Sequence, residues 1–110
     1  MPRARRLWYS VPVIEHIVLF KLKPDASEER KEGMLRALLA LREKIPGIVQ
    51  ASAGVNFADR ARGYTHGFVA RFQDRAALDA YIPHPAHQAV VESHVKPLSD
   101  GILVLDYDIF

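Results

Sequence analysis

The chain has no cysteine in its 110 residues, which excludes a disulfide framework, thiolate metal sites and a cysteine nucleophile. A reducing, cytoplasmic setting fits that composition. An excess of charge of one sign is also lacking: 15 basic residues face 13 acidic ones, and Arg3, Arg5 and Arg6 crowd the N-terminus. Beyond those arginines the balance is near neutral, so no nucleic-acid partner is expected. No apolar run approaches the ~20 residues of a membrane-spanning helix, and Pro12, Glu15 and His16 interrupt the stretch after the basic start. Neither a membrane partner nor a secretory leader is expected. Seven prolines and six glycines are too few for a low-complexity chain.

What remains is an apolar content of 49% in a chain long enough for one core and too short for two. Residues 1–13 have no periodicity and read as an N-terminal extension; residues 14–110 read as the domain. From 14 to 22 the sequence alternates, with Ile14, His16, Val18, Phe20 and Leu22 on one strand face and Ile17 and Leu19 on the other. Ser27 is placed to cap a helix whose first turn holds Glu28 and Glu29, and in which Met34, Leu38, Leu41 and Ile45 recur at helical spacing. Pro46-Gly47 stops it. A strand over 49–57, with a bulge or a close approach expected at Gly54, leads through a charged loop to a strand over 64–72. On that strand His66, Phe68, Ala70 and Phe72 share a face. Asp74 caps a helix carrying Leu78 and Tyr81, Pro83 and Pro85 break it, and a second helical run is expected over 86–98. Asp100-Gly101 reads as a turn into a last strand over 102–110.

The order strand, helix, strand, strand, broken helix, strand is the plan of an α+β, ferredoxin-like βαββαβ domain, with one antiparallel sheet and both helices on one side. Because the strands over 14–22 and 64–72 carry apolar residues on both faces, the uncovered face calls for a homodimer in which two sheets pack together.

Five segments in order, Ile14-Glu15-His16-Ile17-Val18-Leu19-Phe20-Lys21, Ile45-Pro46-Gly47, Gly63-Tyr64-Thr65-His66, Tyr81-Ile82-Pro83-His84-Pro85-Ala86-His87 and Leu105-Asp106-Tyr107, resemble the stress-responsive dimeric α/β-barrel domain family. The resemblance implies a homodimeric barrel. It also implies a link to a plant branch of polyketide cyclases, which close a poly-β-keto chain by aldol condensation without a cofactor. By motif position that branch's catalytic tyrosine and histidine correspond to Tyr81 and His87, and two further pocket histidines to His16 and His66. Leu38 stands where that branch has a pocket tyrosine.

Aldol closure needs a base near neutral pH and a donor for the developing enolate oxygen, roles that suit His87 and Tyr81. His87 follows Pro85 into the first turn of a helix, where the positive end of the helix dipole disfavours imidazolium. His16, His66, Phe20 and Phe68, on matching strand faces, are expected to line a pocket for a small carbonyl-rich or aromatic molecule. A core role for Tyr81 and a capping role for His87 are the plainer alternatives, and His84 and His94 read as local or surface residues. No metal is expected, because no histidine pair has the i, i+4 spacing of a helical zinc site, and no cofactor is expected. The second functional class is a non-enzymatic, stress-associated binding or structural protein with a filled interior.

Overall fold

The computed structural model describes residues 14–110; the expected N-terminal extension lies outside the described residues. The elements are β1 (Ile14–Leu22), α1 (Glu28–Ala40) with a tight turn over Leu41–Glu43, β2 (Ile48–Val55), β3 (His66–Phe72), α2 (Arg75–Tyr81), α3 (Pro85–Val90), a π-helical turn over Val91–Val95, α4 (Lys96–Leu98) and β4 (Ser99–Asp108). The four strands form one antiparallel sheet in the order β2-β3-β1-β4. This is the ferredoxin-like α+β plan.

Local chemistry places the boundaries. Ser27 accepts from the Arg30 amide at 3.1 Å to open α1, and Asp74 accepts from the Ala77 amide at 2.8 Å to open α2. Gly47 turns the chain with φ +95°, and a Cβ there would lie 2.5 Å from the Cβ of Ala77, so glycine is required both by conformation and by the close approach of α2. Met34, Leu38, Leu41 and Ile45 join Leu78, Tyr81, Val90, Val95 and Leu98 in a core against the even-numbered residues of β1 and β3.

The helical run expected over 86–98 is present, with one irregularity: Pro97 has no amide to give and its ring crowds the carbonyl four residues back, and the chain makes a wider π turn just before it. Two expectations are corrected. Asp100-Gly101 is not a turn. Both residues lie in β4, and the pairing slips there, from Lys21 with Gly101 to Leu22 with Ser99. Gly54 is neither a bulge nor a close approach, since it pairs regularly with Gly67 and nothing lies within 4 Å of where its Cβ would be, and the irregularity of β2 falls between Ile48 and Gln50.

The two faces of the sheet differ. Even-numbered residues of β1 and β3 lie under the helices, whereas Ile17, Leu19 and Val69 share the opposite face with Leu103, Leu105 and Tyr107, which are 52%, 58% and 45% exposed. That open face is mostly apolar, with a Glu15–Arg71 ion pair of 2.8 Å toward one end.

Candidate active site

The break between α2 and α3 builds the site. Pro85 supplies the first residue of α3, and His84 caps it by accepting the Ala86 amide on Nδ1 at 3.0 Å. That amide is the one which a continuous helix would have given to the carbonyl of Ile82. The carbonyl instead accepts from His87 Nδ1 at 2.9 Å and from Gln88 Nε2 at 2.8 Å. A carbonyl can only accept, so His87 carries a proton on Nδ1 and its neutral ring leaves Nε2 as the basic nitrogen. Burial pushes the His87 imidazolium below its usual range; the Ile82 carbonyl opposes this, and His16 and His84 add to the lowering.

Tyr81, at the end of α2, is 1% exposed and stacks tilted against His87 with ring centroids 4.3 Å apart. Burial pushes its phenol well above the usual range, so the hydroxyl keeps its proton. The edge of the Tyr81 ring also meets His16 at 5.8 Å and Phe72 at 4.9 Å. His16 is 6% exposed, and its Nδ1 donates to the carboxylate of Asp106, its register partner on β4.

These four side chains border a cavity of about 230 Å³, somewhat below the range of about 300–1,000 Å³ usual for ligand pockets. Its remaining wall is apolar: Phe20 and Phe68 from the sheet, Leu38 from α1, Val91 and Val95 from the π turn, and Ile102 and Val104 from β4. Tyr81, His87, His16, Phe20 and Phe68 thus line one cavity. His66 is not among the residues lining this cavity. It sits at the other end of β3, where Nδ1 meets the hydroxyl of Thr65 at 2.7 Å; that hydroxyl accepts from the Leu22 amide at 3.1 Å and donates to the Phe20 carbonyl at 3.3 Å. Burial and the nearby Lys31 lower the His66 imidazolium, with Glu28 opposing. His84 is the helix cap, and His94 does not reach the cavity.

The sequence reading missed Asp106. Its signal was the alternation of β4, which puts Asp106 on the face of Ile102 and Val104, but the carboxylate acquires a partner only through the pairing of β4 with β1.

The model of the Dabb family, the stress-responsive A/B barrel domain, matches residues 14–109. The chain belongs to this family. It is 33% identical over 95 residues to a stress-response A/B barrel domain-containing protein of Arabidopsis thaliana, covering 86% of this chain but only 36% of that longer protein. It is 26% identical over 96 residues to olivetolic acid cyclase of Cannabis sativa, covering 86% of this chain and 94% of the cyclase. Among solved structures, a dimeric ferredoxin-like protein of unknown function from Jannaschia sp. superposes with a TM-score of 0.75 at 30% identity, covering 88% of this chain and 99% of that one. The fold and family are those expected from the five sequence segments. Among the described residues no helix is long and apolar enough to cross a membrane, and no three His, Cys, Asp or Glu side chains converge to hold a metal ion.

Proposed function

We propose that the cavity binds a small carbonyl-rich or aromatic molecule and that His87 and Tyr81 carry out acid–base chemistry on it without a cofactor. The observation that carries this reading is the stacking of Tyr81 on a His87 whose Nδ1 is committed to Ile82, beside open volume. Nε2 of His87 removes a proton from a carbon flanked by two carbonyls. The Tyr81 hydroxyl donates a hydrogen bond to the enolate oxygen that forms, the enolate carbon then attacks a further carbonyl lying farther along the same molecule, and the resulting alkoxide takes back the proton held on Nε2 of His87. The similarity to olivetolic acid cyclase supports this direction. The name of the Arabidopsis relative records a stress response and no reaction, which favours a second reading, a non-enzymatic binding protein that uses the same cavity.

The test uses benzoylacetone, a small aromatic 1,3-diketone. Titrated into the isotopically labelled protein, it is expected to shift resonances of residues around Tyr81 and His87, and its keto–enol interconversion, followed by ultraviolet absorbance, is expected to accelerate. His87→Ala removes about 10²-fold of that acceleration, the size of one general base. Binding without acceleration would leave the non-enzymatic reading, and no resonance shift at millimolar ligand would overturn both.

The open face supports a homodimer. Its exposed leucines match the apolar surface expected of an interface, and the similar Jannaschia protein is described as dimeric. Leu105→Lys is expected to turn a dimer into a monomer in size-exclusion chromatography with light scattering; an unchanged mass would reject this face as the interface. A cysteine-free composition supports a cytoplasmic location.

A further inference from the structure

The cavity holds a second imidazole whose orientation is as closely specified as that of His87. His16 comes from the sheet and His87 from the helix layer, and the Tyr81 ring contacts both, at 5.8 and 4.3 Å. Each histidine has its Nδ1 committed to an acceptor that cannot donate, the Ile82 carbonyl for His87 and the Asp106 carboxylate for His16. Nε2 of His16 makes no hydrogen bond among the described residues, and the ring borders the cavity.

We propose that Asp106 is a positioning residue that fixes His16 as the tautomer protonated on Nδ1, so that the site presents two Nε2 atoms to one ligand beside Tyr81. The cross-strand geometry supports it. His16 and Asp106 are register partners on β1 and β4, where facing Cβ atoms lie about 4.5–5.5 Å apart, within reach of a short carboxylate and an imidazole. Asp106 is the acidic residue on a β4 face otherwise apolar along the cavity, between Ile102 and Val104 on one side and the Arg75–Asp108 pair on the other. A carboxylate held against a buried imidazole restricts the ring to one plane and one tautomer.

The consequence for the ligand rests on the proposed function and narrows it. Two accepting nitrogens suit a 1,3-dicarbonyl compound in both of its tautomers, the keto form with an acidic C–H between the carbonyls and the enol form with an O–H in its place. His87 takes the carbon-bound proton, and His16 accepts a hydrogen bond from the enol hydroxyl and holds the ligand in register with Tyr81. No covalent step is assigned to His16.

Long-range proton–nitrogen correlation spectra of the histidine rings report tautomers directly and need no ligand. The wild-type protein is expected to show His16 protonated on Nδ1. In Asp106→Asn the amide can donate to Nδ1 and move the ring proton to Nε2, and in Asp106→Leu the ring loses its partner and samples both tautomers; the His87 signature stays as it was in each. Benzoylacetone binding is expected to weaken roughly tenfold in both variants, the scale of one hydrogen bond. His16 protonated on Nε2 in the wild type, or a His16 signature unchanged in both variants, would overturn the proposal. Because the isosteric Asn preserves packing, a misfolded Leu variant leaves the test intact. Failure of benzoylacetone to bind the wild type counts against the proposed function alone, since the tautomer spectra still decide the role of Asp106.

Discussion

His16 and His66 lie on the same face of the same sheet, 6% and 7% exposed, yet their surroundings differ completely. At the His66 end the Thr65 hydroxyl serves the Leu22 amide, the Phe20 carbonyl and the His66 ring, and the groove that His66 borders there is lined mainly by β2 and β3 and not by Tyr81 or His87. At the His16 end the polar groups face a cavity, because the break between α2 and α3 brings in Tyr81 and His87, and the π turn contributes only valines to the wall. A buried histidine is therefore read by which side chains gather around its ring, and burial alone does not separate the two cases.

The largest effect that can break this comparison is catalytic. In the benzoylacetone assay His87→Ala is expected to cost about 10²-fold and His66→Ala less than about twofold. Equal losses in the two variants would mean that both ends belong to one site. The next effect is on stability, and it runs the other way. Thr65→Val strands the Leu22 amide and the His66 ring, so it is expected to cost about 1–3 kcal/mol, several degrees or more in melting temperature for a domain of this size. His87→Ala leaves a carbonyl still bonded by Gln88 and should cost less than Thr65→Val in the same calorimetric scan.

The distinction between the two ends explains what was and was not legible in the sequence. Alternation in β1 and β3 placed His16, Phe20, His66 and Phe68 on one face, because side-chain direction has a period of two that needs no tertiary information. Position along that face needs the register. His16 pairs with Ala70 whereas His66 pairs with Phe20, a separation of four residues on β1 and so about 13 Å along the strand. The cavity runs along β1 from His16 to Phe20, yet the His66 ring opposite Phe20 does not line it. Ser27, Asp74 and the Pro83/Pro85 break were readable because caps and prolines act on their own neighbours. The partner of Asp106 was not, because it arrives from a strand ninety positions away in the chain. The π turn before Pro97 is an intermediate case: the proline announces a disturbance, and the packing of Val95 and Leu98 into the core settles that the helix widens and continues.

The smallest effect is a pH dependence that both ends share. Burial lowers the imidazolium of His66 and of His87 below the ordinary value of about 6.5. In the unfolded chain both rings bind protons as the pH falls through that value, while in the folded chain they still resist. The unfolded state then holds more protons, so stability is full above about pH 6.5 and declines below it until the folded-state values are reached. Melting temperatures at about pH 7.5 and about pH 5.5, on either side of the ordinary imidazole value, should therefore differ more in the wild type than in His66→Ala or His87→Ala, each of which removes one contribution. The acid limb of the benzoylacetone rate reports His87 separately: it should fall below about pH 6.5, because the base stays neutral to lower pH than a free imidazole, and His66→Ala should leave it unmoved. An acid limb that shifts in His66→Ala would mean that protonation at the His66 end reaches the cavity, and the two ends would have to be treated as one electrostatic unit.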